Sequence, residues 1–205
     1  MTQPNPGAIQ IPVIETERLR LRGHRLEDFA DTLALWSDRN VTQFIGGKPQ
    51  TEEEVWLRVM RYVGHWAWMG FGYWVLEEKF TGRFAGEVGF ADWKRDIEPS
   101  IKGIPEAGWV LASRVRGMGY ATEAVRAIIA WGDQRFCGES GLKSPQQKVL
   151  GIENAVHSAI PLTAARMVCI IDTEHARSVR VAEKCGFRLL CKTRYHDEPI
   201  QIFTR

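Results

Sequence analysis

Arg18-Leu19-Arg20-Leu21-Arg22 alternates strictly between charged and apolar side chains. That is the two-residue period of a strand with one face buried. The period then lengthens. Asp28 to Trp36 places apolar residues at 29, 30, 33 and 36, which predicts a short amphipathic helix. Residues 40–50 hold Gly46, Gly47 and Pro49 and read as a loop. Thr51 followed by Glu54 is a capping box, and Glu52, Glu53 and Glu54 suit the positive end of a helix dipole. Val55, Val59, Tyr62, Val63 and Trp66 continue that helix at its own spacing. From Gly70 the period returns to two. Gly72–Glu77 and Arg83–Phe90 predict a hairpin turning at Thr81-Gly82. Glu106–Ala112 reads as a strand, Arg114–Gly119 as a glycine-bearing loop, and Ala121–Phe136 as a strongly amphipathic helix. Met167–Ile171 is an apolar run of buried-strand length. Glu174–Cys185 is helical and stopped by Gly186, the residue suited to a left-handed cap. Phe187–Cys191 and Ile200–Thr204 close the series as strands. Residues 1–14 read as an extended leader. Strands in a run, then alternating with helices, give an α+β class.

A chain of 205 residues fits one domain with a full core. The net charge of +2 and pI near 8.4 are too mild for a polyanion partner, so nucleic acid is not expected. No apolar stretch approaches the roughly 18 residues of a membrane span, and no signal-peptide pattern opens the chain. Cys137, Cys169, Cys185 and Cys191 form no C-x-x-C pair and no zinc spacing. Free thiols in a reducing, cytoplasmic setting, and no metal, are expected. His24, His65, His157 and His196 suggest no partners and read as structural or solvated.

The segment with chemistry is Glu106 to Phe136. A strand runs into Arg114-Val115-Arg116-Gly117-Met118-Gly119, and a long helix follows at once. Two glycines allow several backbone N–H groups to converge, and a helix N-terminus adds partial positive charge. Arg114 and Arg116 offer charge-assisted contacts to phosphate oxygens. The pattern suits a pyrophosphate. It lacks the third glycine of a Rossmann fingerprint and the Gly-Lys-Ser/Thr of a Walker loop.

Arg114-x-x-Gly117-x-Gly119, followed by Tyr120-Ala-Thr-Glu-Ala124, resembles the pyrophosphate-binding motif of the GNAT acetyltransferases. Ile170 through Ser178 and Ala182-Glu-Lys-Cys-Gly-Phe187 resemble that superfamily's later strand–helix unit. Glu15-Thr-Glu-Arg-Leu-Arg-Leu-Arg22 and Gly86-Glu-Val-Gly89 resemble the branch of ribosomal-protein N-terminal (alanine) acetyltransferases. The resemblance implies a single GNAT domain over residues 15–205. Its mixed, mostly antiparallel sheet would have six to seven strands, about four flanking helices, and an insertion at 137–165 before the fifth strand.

The resemblance also implies a chemistry: direct transfer of acetyl from acetyl-CoA to a primary amine, with no metal. The strand before the loop would splay from its neighbour. The Val110 and Leu111 amides would then hold the pantetheine arm and polarise the thioester. The phosphates would lie over Val115, Arg116, Gly117, Met118, Gly119, Tyr120 and Ala121. Glu106 matches a position where family members keep a base, and Glu87 is the second candidate. Where the family often has an asparagine this chain has His175, whose imidazole would replace its cofactor contact. Where a tyrosine often protonates the leaving thiolate stands Ala182. Ser178 is the substitute for that role.

Trp36, Trp56, Trp66 and Trp68 lie around the helices that wall the family's acceptor groove, and some would line it. The acceptor would be a small molecule or a protein N-terminus, with the protein acting as a monomer or homodimer. Within 137–165, Ile152, Val156 and Ile160 recur at four-residue spacing, predicting a short helix that packs at the groove's rim or on a second subunit. Two rivals remain from the residues: a CoA-binding GNAT-fold module with weak or lost catalysis, and a regulatory domain that uses the loop for another phosphate.

Overall fold

The computed structural model describes residues 9–136 and 166–205. The 137–165 insertion, its predicted helix and the first eight residues of the leader lie outside that range. The chain divides into two compact units. One takes Met1–Gly89 with Val110–Tyr120, and the other Phe90–Trp109 with Ala121–Arg205.

The first unit grows from the alternating segment. β1 (Ile14–Glu15) and β2 (Leu19–Arg22) pair antiparallel, so the leader ends in a short strand. Leu19 and Leu21 are fully buried, as the alternation requires. β3 (Tyr73–Glu78) pairs with β2 and, across the Gly82 turn, with β4 (Phe84–Ala91). Gly82 sits at φ +68°, the turn conformation that favours glycine. α1 (Phe29–Ser37) follows a 3-10 turn at Leu26–Asp28. The segment expected as loop contains a four-residue α2 (Arg39–Thr42), capped by the Asp38 side chain on the Asn40 amide. α3 (Glu52–Met69) starts at the predicted capping box: Glu54 N donates to Thr51 Oγ1, and Thr51 N to the Glu54 carboxylate at 2.8 Å. Leu35, Trp36, Val41, Val55 and Val110 form a buried cluster.

In the second unit β5 (Glu106–Leu111) begins parallel to β6 (Val168–Asp172). β6 pairs antiparallel with β8 (Glu198–Thr204), which pairs antiparallel with β7 (Arg188–Tyr195). The last hairpin is longer than expected. Its turn residues, His196 and Asp197, both take positive φ (50° and 64°), the geometry of a two-residue hairpin turn. The sequence hides that turn because neither residue is glycine. α4 (Tyr120–Phe136) and α5 (Ala176–Lys184) match the predicted helices, and Gly186 is at φ +86°.

Strand order is β1-β2-β3-β4-β5-β6-β8-β7. The described residues therefore carry eight strands and five α-helices rather than six to seven and about four. The class is α+β, with a mixed, mostly antiparallel sheet. The additions are short elements, β1 and α2, too brief for periodicity to reveal.

Candidate active site

β5 leaves β6 almost as soon as it meets it. The two are in register at Glu106↔Val168, with Val168 N donating to Pro105 O at 3.0 Å. Among the described residues the parallel register does not continue through Ala107–Trp109. This parting matches the splay that the motifs imply, and it precedes Val110 and Leu111 directly. Val110 is buried and Leu111 half-buried. At Gly86, φ +146°, an added Cβ would lie 2.2 Å from the Val110 carbonyl oxygen and 2.8 Å from Leu111 Cα. Only glycine lets β4 approach that backbone. One step further on, Ala112 N donates to Ala85 O at 2.9 Å.

The loop then tightens. A 3-10 turn spans Ser113–Val115, and Val115 N donates to Ala112 O. Gly117 and Gly119 take φ +79° and +81°. Among the described residues, a Cβ at Gly117 would meet nothing within 4 Å, and one at Gly119 only the Arg18 guanidinium at 3.4 Å. Backbone conformation, not crowding by the chain, therefore accounts for both glycines. Among the described residues, neither the Gly117 nor the Gly119 amide donates to a protein acceptor. An exposed turn of unpaired amides at the start of a helix is an anion-binding arrangement.

Side chains pin this loop. Ser113 Oγ donates to Asp38 Oδ2 at 2.5 Å, and that bond is the main cause holding the Asp38 carboxyl below its usual range. Arg116 Nη2 donates to the Asn40 carbonyl at 2.6 Å. Arg114 is engaged elsewhere than on the loop's open side: it pairs with Glu78 at 2.7 Å and donates to the Phe84 carbonyl. Burial pushes the Glu78 carboxyl up, but the Thr81 hydroxyl and Arg114 together bring it below the ordinary value. Arg18 carries no local signal that would single it out. Its Nη1 donates to Met118 O at 2.8 Å, and the guanidinium lies 4.8 Å over the Tyr120 ring. Met118 is exposed, whereas Val115 and Tyr120 are buried.

The two candidate carboxylates sit in different settings. Glu87 on β4 is fully buried. Its Oε1 lies 3.1 Å from His24 Nε2 and accepts from the Thr32 hydroxyl at 3.3 Å. Its Oε2 accepts from Trp36 Nε1 at 2.9 Å and the Tyr62 hydroxyl at 3.3 Å. Burial, then the neighbouring Glu87 charge, push the Tyr62 phenol well above its ordinary value, so Tyr62 keeps its proton and donates. His24 thus has a partner, against the expectation that it had none. His65 Nδ1 likewise contacts Arg61 O at 2.8 Å. Glu106, at the start of β5, is 6% exposed and gripped by Arg95: Nε to Oε2 at 2.7 Å and Nη2 to Oε1 at 2.8 Å. That guanidinium also lies over the Tyr195 ring.

In the second unit, His175 is the N-cap of α5, and its Nδ1 accepts from Ser178 N at 3.4 Å. The cap role joins these two predicted cofactor residues at one helix end, with Ser178 half-buried. Ala121 opens the unit's share of α4, and Ala182 is fully buried. Of the thiols, Cys169 and Cys185 are buried and Cys191 half-buried. Burial raises all three, Cys169 most.

The tryptophans divide. Trp36 and Trp66 are buried, with Trp66 Nε1 donating to Tyr73 O, whereas Trp56 is 41% and Trp68 90% exposed. Among the described residues no helix is long and apolar enough to cross a membrane.

Comparison with known proteins fits this geometry. The model of the acetyltransferase (GNAT) domain family matches residues 18–188. The uncharacterized protein YkkB of Bacillus subtilis (strain 168) is 29% identical over 195 residues, 93% of each chain. A structure from Bordetella pertussis, described as a GnaT-family acetyltransferase, superposes with TM-score 0.71 at 26% identity, covering 95% of this chain and 99% of that one. A ribosomal L7/L12 α-N-protein acetyltransferase solved with coenzyme A superposes with TM-score 0.64 at 13% identity, covering 95% and 97%. At that identity the likeness is one of fold. A family match over most of the chain, on a sheet that parts beside a two-glycine loop, identifies this protein as a member of the GNAT acetyltransferase family, an N-acetyltransferase.

Proposed function

We propose that the protein transfers acetyl from acetyl-CoA directly to a primary amine. The observation that carries this is the parting of β5 from β6 after Glu106, directly before Val110 and Leu111. Amides freed from a sheet ladder are donors fixed in place before any ligand arrives. A thioester carbonyl held against them would be polarised, and the oxyanion formed on attack would be stabilised where it develops. The CoA phosphates would sit over Val115 to Ala121, with the Gly117 and Gly119 amides donating and Arg18 and Arg116 supplying charge. His175 and Ser178 are the further cofactor contacts.

The reaction balances simply. The amine nitrogen bonds to the acetyl carbon, the C–S bond breaks, and the sulfur leaves with its electron pair. The thiolate takes the nitrogen's second proton, with the Ser178 hydroxyl as the candidate relay. A base must first remove a proton from the acceptor's ammonium. Both oxygens of Glu106 already accept from Arg95, so its carboxylate is better suited to holding the start of β5 than to acting as base. Glu87 is likewise engaged on both oxygens and fully buried, but it lies one residue from the Gly86 contact with Val110, so its part would be played through a neighbouring group. The acceptor is a small amine or a protein N-terminus, the latter in keeping with the fold neighbour that acetylates ribosomal L7/L12.

Thermal-shift titration with CoA, followed by thiol-release assays on a panel of amines and N-terminal peptides, tests this reading. Stabilisation by CoA and turnover with a primary amine are expected. No response to CoA would overturn it. Binding without turnover would leave a CoA-binding module.

A further inference from the structure

We infer that His24 and Glu87 form a buried proton-accepting dyad, in which the His24 imidazole takes the acceptor's proton and Glu87 orients it. This rests on the amine-acetylation reading above. Glu87 Oε2 accepts from Trp36 Nε1, which can only donate, and from the Tyr62 phenol, which keeps its proton; Oε1 accepts from the Thr32 hydroxyl. In the dyad an ionised Glu87 can only accept at Oε1, so the Nε2 of His24 that meets it at 3.1 Å would carry the hydrogen. The dyad requires that tautomer. Nδ1 is left with its lone pair, and among the described residues it has no hydrogen-bond partner. A base whose far nitrogen is held by a buried carboxylate is the arrangement that catalytic histidines use.

The surroundings favour this role. The side chain of His24 is 4% exposed and that of Glu87 0%, so an imidazolium formed there has its counter-charge fixed at 3.1 Å. The Tyr62 ring from α3 lies 5.2 Å from the imidazole and is stacked on Tyr73 of β3. The other charges around it are accounted for. Asp28, in the 3-10 turn, is paired twice at 2.7 Å with Arg22 of β2. Arg58 of α3 lies over the Trp36 ring and interacts with Tyr62. Among the described residues, Glu87 is the one carboxylate that His24 bonds. Trp36, which donates to Glu87, packs in the same cluster as Val110, where the thioester is proposed to lie.

In the step proposed, the acceptor's ammonium gives a proton to Nδ1, directly or through one water, and becomes a neutral amine. Nε2–H stays donated to Glu87 Oε1. The amine attacks the thioester, and its second proton goes to the departing thiolate. The imidazolium returns its proton to solvent. Neither carboxylate needs to be exposed for this.

The test compares the parent protein with His24→Gln and Glu87→Gln in thiol-release assays, using spermidine and a peptide with N-terminal alanine as acceptors. In His24→Gln, kcat should fall about 10²-fold or more, with KM for acetyl-CoA and stabilisation by CoA unchanged. The ionisation limb of the parent's kcat/KM–pH profile should vanish. Parental kcat with the limb retained in His24→Gln would overturn the dyad alone. If the parent turns over no amine, the acetylation reading falls and the dyad with it. Should either variant fail to fold, 15N NMR of the imidazoles in the unaltered protein decides. The Nε2–H tautomer of His24 is expected, and the Nδ1–H tautomer would overturn the proposal.

Discussion

Arg18 Nη1 donates to the Met118 carbonyl at 2.8 Å, joining positions one hundred residues apart. With the guanidinium also over Tyr120, the segment before β2 braces the loop that is proposed to bind phosphate. The contact is exposed, so its worth to the fold is small, but its loss frees the loop where ligand must find it ordered. Arg18→Ala is expected to weaken CoA binding about fivefold, roughly the worth of one such hydrogen bond, with little change in melting temperature. Calorimetric titration with CoA beside a thermal melt separates the two effects. A loss of thermal stability with CoA affinity intact would make Arg18 a purely structural brace.

Gly119→Val should harm the loop through its backbone. At φ +81° an L side chain costs about 1–2 kcal/mol, while the only nearby atom among the described residues is the movable end of Arg18. The loop should relax out of the left-handed conformation and lose most of its CoA affinity, with the remaining fold intact. A thermal-shift titration reads both. Full CoA-dependent stabilisation in the variant would refute the proposed approach of phosphate to this backbone.

Removing Arg95 leaves the Glu106 carboxylate buried without its counter-charge, and removing Glu106 does the same to a half-buried Arg95. Breaking a fully buried pair costs about 3–5 kcal/mol, and the half-buried Arg95 lowers that here. Glu106→Gln and Arg95→Met should therefore both lower the denaturant midpoint clearly. The double variant should be less unstable than the sum of the two. If Glu106→Gln were stable yet inactive, Glu106 would be the base and the dyad superfluous.

Acid should weaken the first unit through Asp28. Burial raises this carboxyl, but its bonds to Arg22 and to the Arg25 amide outweigh that and leave it below the ordinary value. A depressed folded value gives stability that is complete above the unfolded value of about 3.9 and is lost as pH falls through the folded one. The stability difference between parent and Asp28→Asn should thus be largest near neutrality and shrink below about pH 4. Urea midpoints across that range test it. A difference independent of pH would assign the effect to packing.

The local sequence determined the elements whose signal is local. The Thr51–Glu54 box started α3, Gly82 turned the β3–β4 hairpin, and Gly117 and Gly119 marked a backbone that only glycine readily adopts. Each is decided by a few residues acting on their own backbone, so the pattern along the chain contains it. Pairing between distant side chains is not in that pattern. Arg114 and Arg18 are both arginines near glycine or strand signals, and only the fold sends the first to Glu78 and brings the second to Met118. Glu87 and Glu106 are both strand carboxylates in the sequence. Tertiary structure surrounded one with His24, Thr32, Trp36 and Tyr62 from three other segments and closed Arg95 on the other. A carboxylate's chemistry follows from its neighbours' charge, donors and burial, and those are set by the packing of segments far apart in the chain.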